Sequence, residues 1–259
     1  MQRLMSEEQA WPDQLLSSFE VIRSSQYQQG RPYQQTHLTK VDRLPSSAVG
    51  PLRLKDFRNW NGHWYAESHV EEWVSHCPEA LFRSQAVQVI GSQNYAHLPE
   101  KIDLLFLDAK QQFHIVEVKA ERVASNRGLA PDRIWAQMNR YVDFIRNEVL
   151  PYPATHEKYY VQFAAQFLGS CHDMLDHVRS SFTKTFPIGS AAIVRTFITE
   201  GYDDDAVSYF RNRQNDEPTR LIYYRFYRCT GEIERHCIEF WEVPLVANHV
   251  DVPSCKQTE

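Results

Sequence analysis

Long apolar runs are missing from this 259-residue chain: no stretch approaches the ~18 consecutive apolar residues that a membrane span needs. The opening stretch 1–11 is polar and acidic, with no apolar core leading into small residues, and lacks the pattern of a secretory signal. Cysteine is scarce. Cys77, Cys171, Cys229, Cys237 and Cys255 are odd in number and scattered, with no C-x-x-C pair, which argues against a disulfide framework or a cysteine-rich zinc site. The eleven histidines contain no H-x-x-x-H or H-E-x-x-H pattern, so a histidine zinc site is disfavoured too. Positive charge is also in deficit. A net charge of −5 excludes a protein that coats nucleic acid by bulk charge, and any such contact has to be a local basic patch. These absences lead us to expect reduced thiols, a cytoplasmic location and no membrane partner.

The composition that remains is ordinary. Hydrophobic residues make up 42% and charged residues 24%, which excludes disordered and fibrous classes and leaves one large domain or two modest ones. There is no internal repeat. Residues 12–24 place Leu15, Leu16, Phe19, Val21 and Ile22 at roughly helical spacing behind Pro12 and Asp13, so a helix is expected there. Residues 25–50, rich in Gln, Ser, Pro and Gly, read as a loop or linker. Residues 66–82 read as a helix with Val70, Val74, Cys77 and Leu81 on one face. Two strands follow at 101–108 and 112–119, then a second helix at 131–149 opened by Pro131. Beyond 150, strand-like runs occur at 159–168, 190–199, 219–228 and 236–243, with a helical stretch near 172–182. The expectation is an α/β (α+β) fold, a mixed central sheet flanked by helices. It divides into an N-terminal helical and linker segment (1–60), a core (61–150) and C-terminal strands completing or extending the sheet (151–259).

The informative stretch is KIDLLFLDAKQQFHIVEVKAE, residues 101–121. Strand geometry sends Glu117 and Lys119 to the same face as Phe113 and Ile115. A short loop near Lys110 sets Asp103 opposite Glu117 or Lys119 on that face. Two carboxylates and a lysine then converge at one end of a hairpin. An ion pair explains Asp103 with Lys119 but not a second carboxylate beside them, since clustered carboxylates repel unless a cation neutralises them. Mg²⁺ or Mn²⁺ is the natural occupant of such a set of oxygens. Lys119 could then orient a metal-bound water and stabilise charge growing on a phosphate. The competing reading is a hairpin with solvated charges.

The flanking helices add donors. Glu67 lies three residues before Val70 and seven before Val74, on the inward face, and could offer a third carboxylate. Glu71 and Glu72 fall round the side, with Glu71 near enough to compete. Gln137 and Tyr141 sit four apart and share a face from which both could reach a ligand near the hairpin. For Tyr141 the alternative is core packing with Ile134, Met138 and Ile145.

Asp103, then Glu117-Val118-Lys119, then Gln137-x-x-x-Tyr141, preceded by the helix from Glu67 to Pro78, resembles the PD-(D/E)xK nuclease superfamily. Within it the pattern is similar to NucS-like and RecB-like nucleases, which carry a Q-x-x-x-Y element after the catalytic strand. The resemblance covers about residues 64–149. It implies a restriction-endonuclease-like core and metal-dependent hydrolysis of phosphodiester bonds, with DNA as substrate. Asp103 and Glu117 would be metal ligands, Lys119 the catalytic lysine, Glu67 an accessory ligand, and Gln137 and Tyr141 positioning residues. Ile102 stands where the usual proline precedes the first acidic residue, and residues 1–60 do not look like the N-terminal domain of NucS.

Charge distribution supports a nucleic-acid partner. Between 119 and 146, Lys119, Arg122, Arg127, Arg133, Arg140 and Arg146 face three acidic residues, a local balance of +3 in an acidic chain. Arg133 and Arg140 are the candidate backbone contacts. The run Asp203–Asp205 reads as a solvated turn, YYRFYR at 223–228 as a strand with one aromatic face, and Trp60, Trp64 and Trp73 as core or interface anchors. The rivals to a Mg²⁺-dependent deoxyribonuclease are a catalytically inactive binding module of the same fold, and a nuclease acting on RNA or within a defence or repair complex. A homodimer or a partner protein is compatible with either.

Overall fold

The N-terminal segment builds strands, not a helix. In the computed structural model, which describes residues 13–28, 31–57, 64–82, 87–92, 102–108, 112–126, 128–149, 193–213, 218–231 and 235–245, β1 is Gln14–Gln28. It pairs antiparallel on both flanks, with β2 (Arg31–Val41) and with β9 (Arg235–Val243). The expected helix at 12–24 is thereby overturned. A register shift between Leu15 and Ser17 brings Ser17, Phe19 and Val21 into period-two burial against the sheet's core. Phe19 stands opposite Ile238, and two flanking strands outweigh a weak helical spacing. The expected linker at 25–50 is corrected in the same way, since it supplies the end of β1, all of β2 and the start of β3 (Ala48–Leu52). Its polar composition suits β2, which ends the strand order and pairs with one strand among the described residues.

The nine strands form one mixed sheet of order β2-β1-β9-β8-β7-β6-β5-β4, with β3 paired to β8 off this path. The others are β4 (Val87–Ser92), β5 (Leu104–Asp108), β6 (Phe113–Val118), β7 (Ile193–Thr199) and β8 (Thr219–Cys229). Strands β4, β5 and β6 run antiparallel in turn. β7 then lies parallel to β6, and β8 parallel to β7. The expected strands near 101–108, 112–119, 190–199, 219–228 and 236–243 thus appear within a few residues. Those at 159–168 and the helix near 172–182 lie outside the described residues. The β8 aromatics Tyr223, Tyr224, Phe226 and Tyr227 are buried, as a sheet strand requires.

Helix α1 (Glu67–His76) covers one face of the sheet through Val70, Trp73 and Val74, all fully buried. It is shorter than the 66–82 expected. Pro78 has no N–H to continue the ladder and instead opens a 3₁₀ turn, Pro78–Ala80. At the start of α1, His69 Nδ1 accepts the Ala66 N–H, which occupies that imidazole as a cap. Trp73 is an interior anchor, stacked on Phe226, whereas Trp64 is exposed and Trp60 lies outside the described residues. Helix α2 (Pro131–Phe144) covers the other face through Ile134, Met138, Tyr141 and Val142, and continues as a π turn over Ile145–Val149. A third helix, α3 (Asp204–Arg211), replaces the expected solvated turn. Asp203 is its N-cap, with Oδ1 accepting the Ala206 N–H at 2.7 Å. No described helix is long and apolar enough to cross a membrane.

Candidate functional site

The β5–β6 pairing Leu104↔Val116, carried one step outward, sets Asp103 opposite Glu117. Odd-numbered positions of both strands, Leu105 and Ile115 among them, face α2. Asp103, Glu117 and Lys119 share that side at the end of the hairpin. Asp103 is 5% exposed, and its Oδ2 accepts the Val118 N–H at 2.8 Å. Lys119 is anchored by its own backbone, whose N–H donates to the Ile198 carbonyl of β7.

The Lys119 ammonium is surrounded by carboxylates. Its Nζ lies 2.5 Å from Glu117 Oε1, 3.2 Å from Glu67 Oε1 and 3.8 Å from Asp103 Oδ2, and donates to the Val118 carbonyl at 2.8 Å. Glu67 reaches in from the first turn of α1, and its Oε2 accepts the Ala120 N–H at 3.2 Å. Glu117 is fully buried. The approach of Nζ makes Lys119 the polar partner of Glu117, and the Glu117 carboxyl also meets that of Asp103. Buried carboxylates that share a single ammonium stay costly unless a proton or a further cation meets them.

Burial is the main cause that raises the Glu117 carboxyl, to about 8, with the charge of Asp103 adding to it and Lys119 opposing. Burial likewise raises Asp103, to about 6, against the pull of Lys119 and the Val118 amide. Burial alone would lower Lys119, but Glu117 and Asp103 together outweigh it and hold the ammonium above its ordinary range. The ion-free site therefore keeps a proton on the Asp103–Glu117 couple near neutral pH, and a divalent cation would displace it.

Glu67, Glu71 and Asp103 each offer an oxygen, all within 4.8 Å of one another, so this acidic trio could hold a metal ion. Glu71 is 7% exposed and faces the cluster, which corrects its expected position round the side of the helix. The i, i+4 spacing of Glu67 and Glu71 is the sequence signal that puts both on one face. Glu117 is outside that trio but adjoins it through Asp103 and Lys119. The hard carboxylate set, with Glu117 beside it, fits a cation such as Mg²⁺ or Mn²⁺.

Helix α2 brings Gln137 and Tyr141 alongside. Gln137 Nε2 donates to the Tyr141 hydroxyl at 2.5 Å. Burial first, then the charge of Glu117, raises Tyr141 to about 12, so its hydroxyl keeps its proton and lies within electrostatic reach of the carboxylates. Tyr141 also packs in the α2 core, which makes both of its expected roles compatible. Arg133 and Arg140 are exposed on α2, seven residues apart. No family model matches the sequence, and no curated protein or solved structure matches it.

Proposed function

We propose that this chain is a divalent-metal-dependent nuclease that hydrolyses phosphodiester bonds of DNA at a PD-(D/E)xK-type site. The observation that carries this reading is the convergence of Glu117, fully buried, with Asp103 and Glu67 on the one ammonium of Lys119. A structural hairpin gains nothing from burying such a group. The element order supports the restriction-endonuclease-like core that the resemblance implies: α1, three antiparallel strands, α2, then a strand parallel to the third.

Asp103 and Glu117, with Glu67 and Glu71 from α1, would hold Mg²⁺ or Mn²⁺. When bound, the ion supplies Lewis-acid polarisation of a phosphoryl oxygen and a more acidic water. The protein's own groups do the rest. Lys119 stays charged and stabilises negative charge building on the phosphate. Gln137, which donates to the Tyr141 hydroxyl, would with it position a substrate oxygen. Arg133 and Arg140 contact the backbone away from the reacting bond.

The test is incubation of plasmid, linear duplex, single-stranded DNA and RNA with Mg²⁺, Mn²⁺ or EDTA. The reading expects cleavage of DNA with metal and none with EDTA. Cleavage of RNA alone would change the substrate. No cleavage of anything would leave a binding module of the same fold.

A further inference from the structure

A cavity of about 790 Å³ opens where β7 ends and β8 passes, walled also by α3 and the end of β3. Strand register connects it to the carboxylate cluster. Val118 pairs with Ile198 and Thr199 with Tyr223, so Ala120, whose N–H holds Glu67, lies nearly level with Glu200 and Tyr224 in the cavity wall. The Tyr224 hydroxyl is buried with no hydrogen-bond partner among the described residues, and the charges of Glu200 and Glu67 both act on it.

Arg53, Arg122, Arg211 and Arg225 line this wall together with Asp13, Glu200 and Asp204. Arg122, from the turn after β6, donates to the Tyr202 carbonyl at 3.1 Å. Arg211 ends α3, and Arg225 lies on β8. None of these three pairs with a carboxylate among the described residues, whereas Arg53 at the rim is already bridged to Asp56. Asp13 is taken by the Tyr223 hydroxyl and Glu200 by the Leu54 N–H, so guanidinium groups outside any ion pair at this concave wall suit a ligand that brings its own oxyanions. Arg225 is also held flat, 4.7 Å from the Trp241 ring centroid, donating to the Tyr223 hydroxyl at 3.1 Å. Tyr223 and Trp241 are stacked behind it with planes 9° apart. A guanidinium backed in this way is a platform for a nucleobase. The volume is that of a small-ligand pocket, large enough for nucleotides of one strand.

We propose that this cavity receives unpaired nucleotides of the strand cut at the carboxylate site, with phosphates on Arg122 and Arg211 and a base on Arg225. The proposal rests on the nuclease reading and specifies its substrate as DNA with a single-stranded segment.

Binding of labelled oligothymidylate and of a duplex hairpin of equal length, measured by fluorescence anisotropy with the full chain in EDTA across a salt series, is the test. Wild type binds the single strand at least about tenfold more tightly, because only an unpaired base reaches the Arg225 platform. Arg122→Ala and Arg211→Ala each lower the logarithmic salt slope by about 0.7, and Arg225→Ala costs about tenfold in affinity. The first two residues lie at the surface, so their variants keep the result interpretable if Arg225→Ala melts early. Duplex binding as tight as single-strand binding, or unchanged slopes in both surface variants, overturns the proposal. Mg²⁺-dependent cleavage is scored in parallel. Cleavage with no arginine dependence sinks the cavity alone, and arginine-dependent binding with no cleavage of any substrate sinks the nuclease reading alone.

Discussion

Lys119 Nζ approaches Glu117 Oε1 to 2.5 Å, the closest of its three carboxylate contacts. One ammonium thus faces three carboxylates, two of them buried, and cannot balance them alone. On the proposed reading this excess of negative charge is what a metal ion would meet, with Asp103 as the second buried negative partner.

Stability of the ion-free protein should therefore fall as pH rises through the titration of Glu117. Its folded-state value lies above its ordinary 4.5, at about 8, so between those limits the native state binds more protons than the unfolded chain. Where that holds, unfolding free energy decreases with increasing pH. Glu117→Gln, which mimics the protonated form, should flatten this part of the profile and melt at or above wild type at pH 8 in EDTA. A mutant profile parallel to wild type would place the titrating group elsewhere.

Catalysis should depend on Lys119 far more than folding does. On the proposed reading Lys119→Ala removes the cation that would face the reacting phosphate, and the expected loss is at least about 100-fold in kcat, or about 2.7 kcal/mol of barrier. Circular dichroism should stay native, because the Lys119 backbone still donates to Ile198. Wild-type turnover in this variant would remove the lysine from the mechanism.

How much of this site could be read from the chain follows from which residues are local. Asp103, Glu117 and Lys119 lie at the paired ends of two strands that are neighbours in sequence, so period two alone brings them to one face. Gln137 and Tyr141 are likewise a single helical turn apart. Glu71 was legible by the same rule but sits in a Glu71-Glu72 pair that mimics a solvated face. Strand β1 was not legible. Its apolar residues mimic a helical stripe, and only pairing with β9, more than two hundred residues away, decides the matter. The cavity depends on parallel register between β6, β7 and β8, which no local pattern encodes.

Asp203 offers a test of the fold that leaves the site alone. One carboxylate oxygen caps α3 through Ala206, and the other accepts the Ser125 N–H at 3.0 Å. Asp203→Ala should cost about 1 kcal/mol or somewhat more, seen as a lower denaturation midpoint with an unchanged m value. Asp204→Ala, without the cap, should cost less. Equal effects would make the cap irrelevant.

The α2 arginines should carry duplex affinity if the backbone runs along that helix. Arg133→Ala and Arg140→Ala are each expected to reduce the logarithmic salt slope on duplex DNA by about 0.9, with cleavage rates at saturation unchanged. Gln137→Ala should do the opposite, lowering turnover without moving the salt slope. Slopes unchanged in both arginine variants would remove α2 from the path.

Metal binding gives the sharpest division among the four glutamates and aspartates at the site. A cation held only by the native state stabilises it by mass action, about 2.7 kcal/mol at 100 times Kd, so Mg²⁺ or Mn²⁺ should raise the wild-type Tm. The geometry ranks the variants. Asp103→Asn should abolish most of the shift, because Asp103 belongs to the Glu67–Glu71–Asp103 trio and also faces Glu117. Glu71→Gln should reduce it strongly, while Glu72→Gln, one residue on, should leave it intact. In EDTA, Asp103→Asn should be no less stable than wild type, since it relieves repulsion with Glu117. An ion-pair structure predicts the reverse, a loss of roughly 3–5 kcal/mol on stranding Lys119. Thermal melts of the four proteins with and without metal separate the two accounts. Marked ion-free destabilisation of Asp103→Asn, with no metal shift in wild type, would reduce the cluster to a structural ion pair.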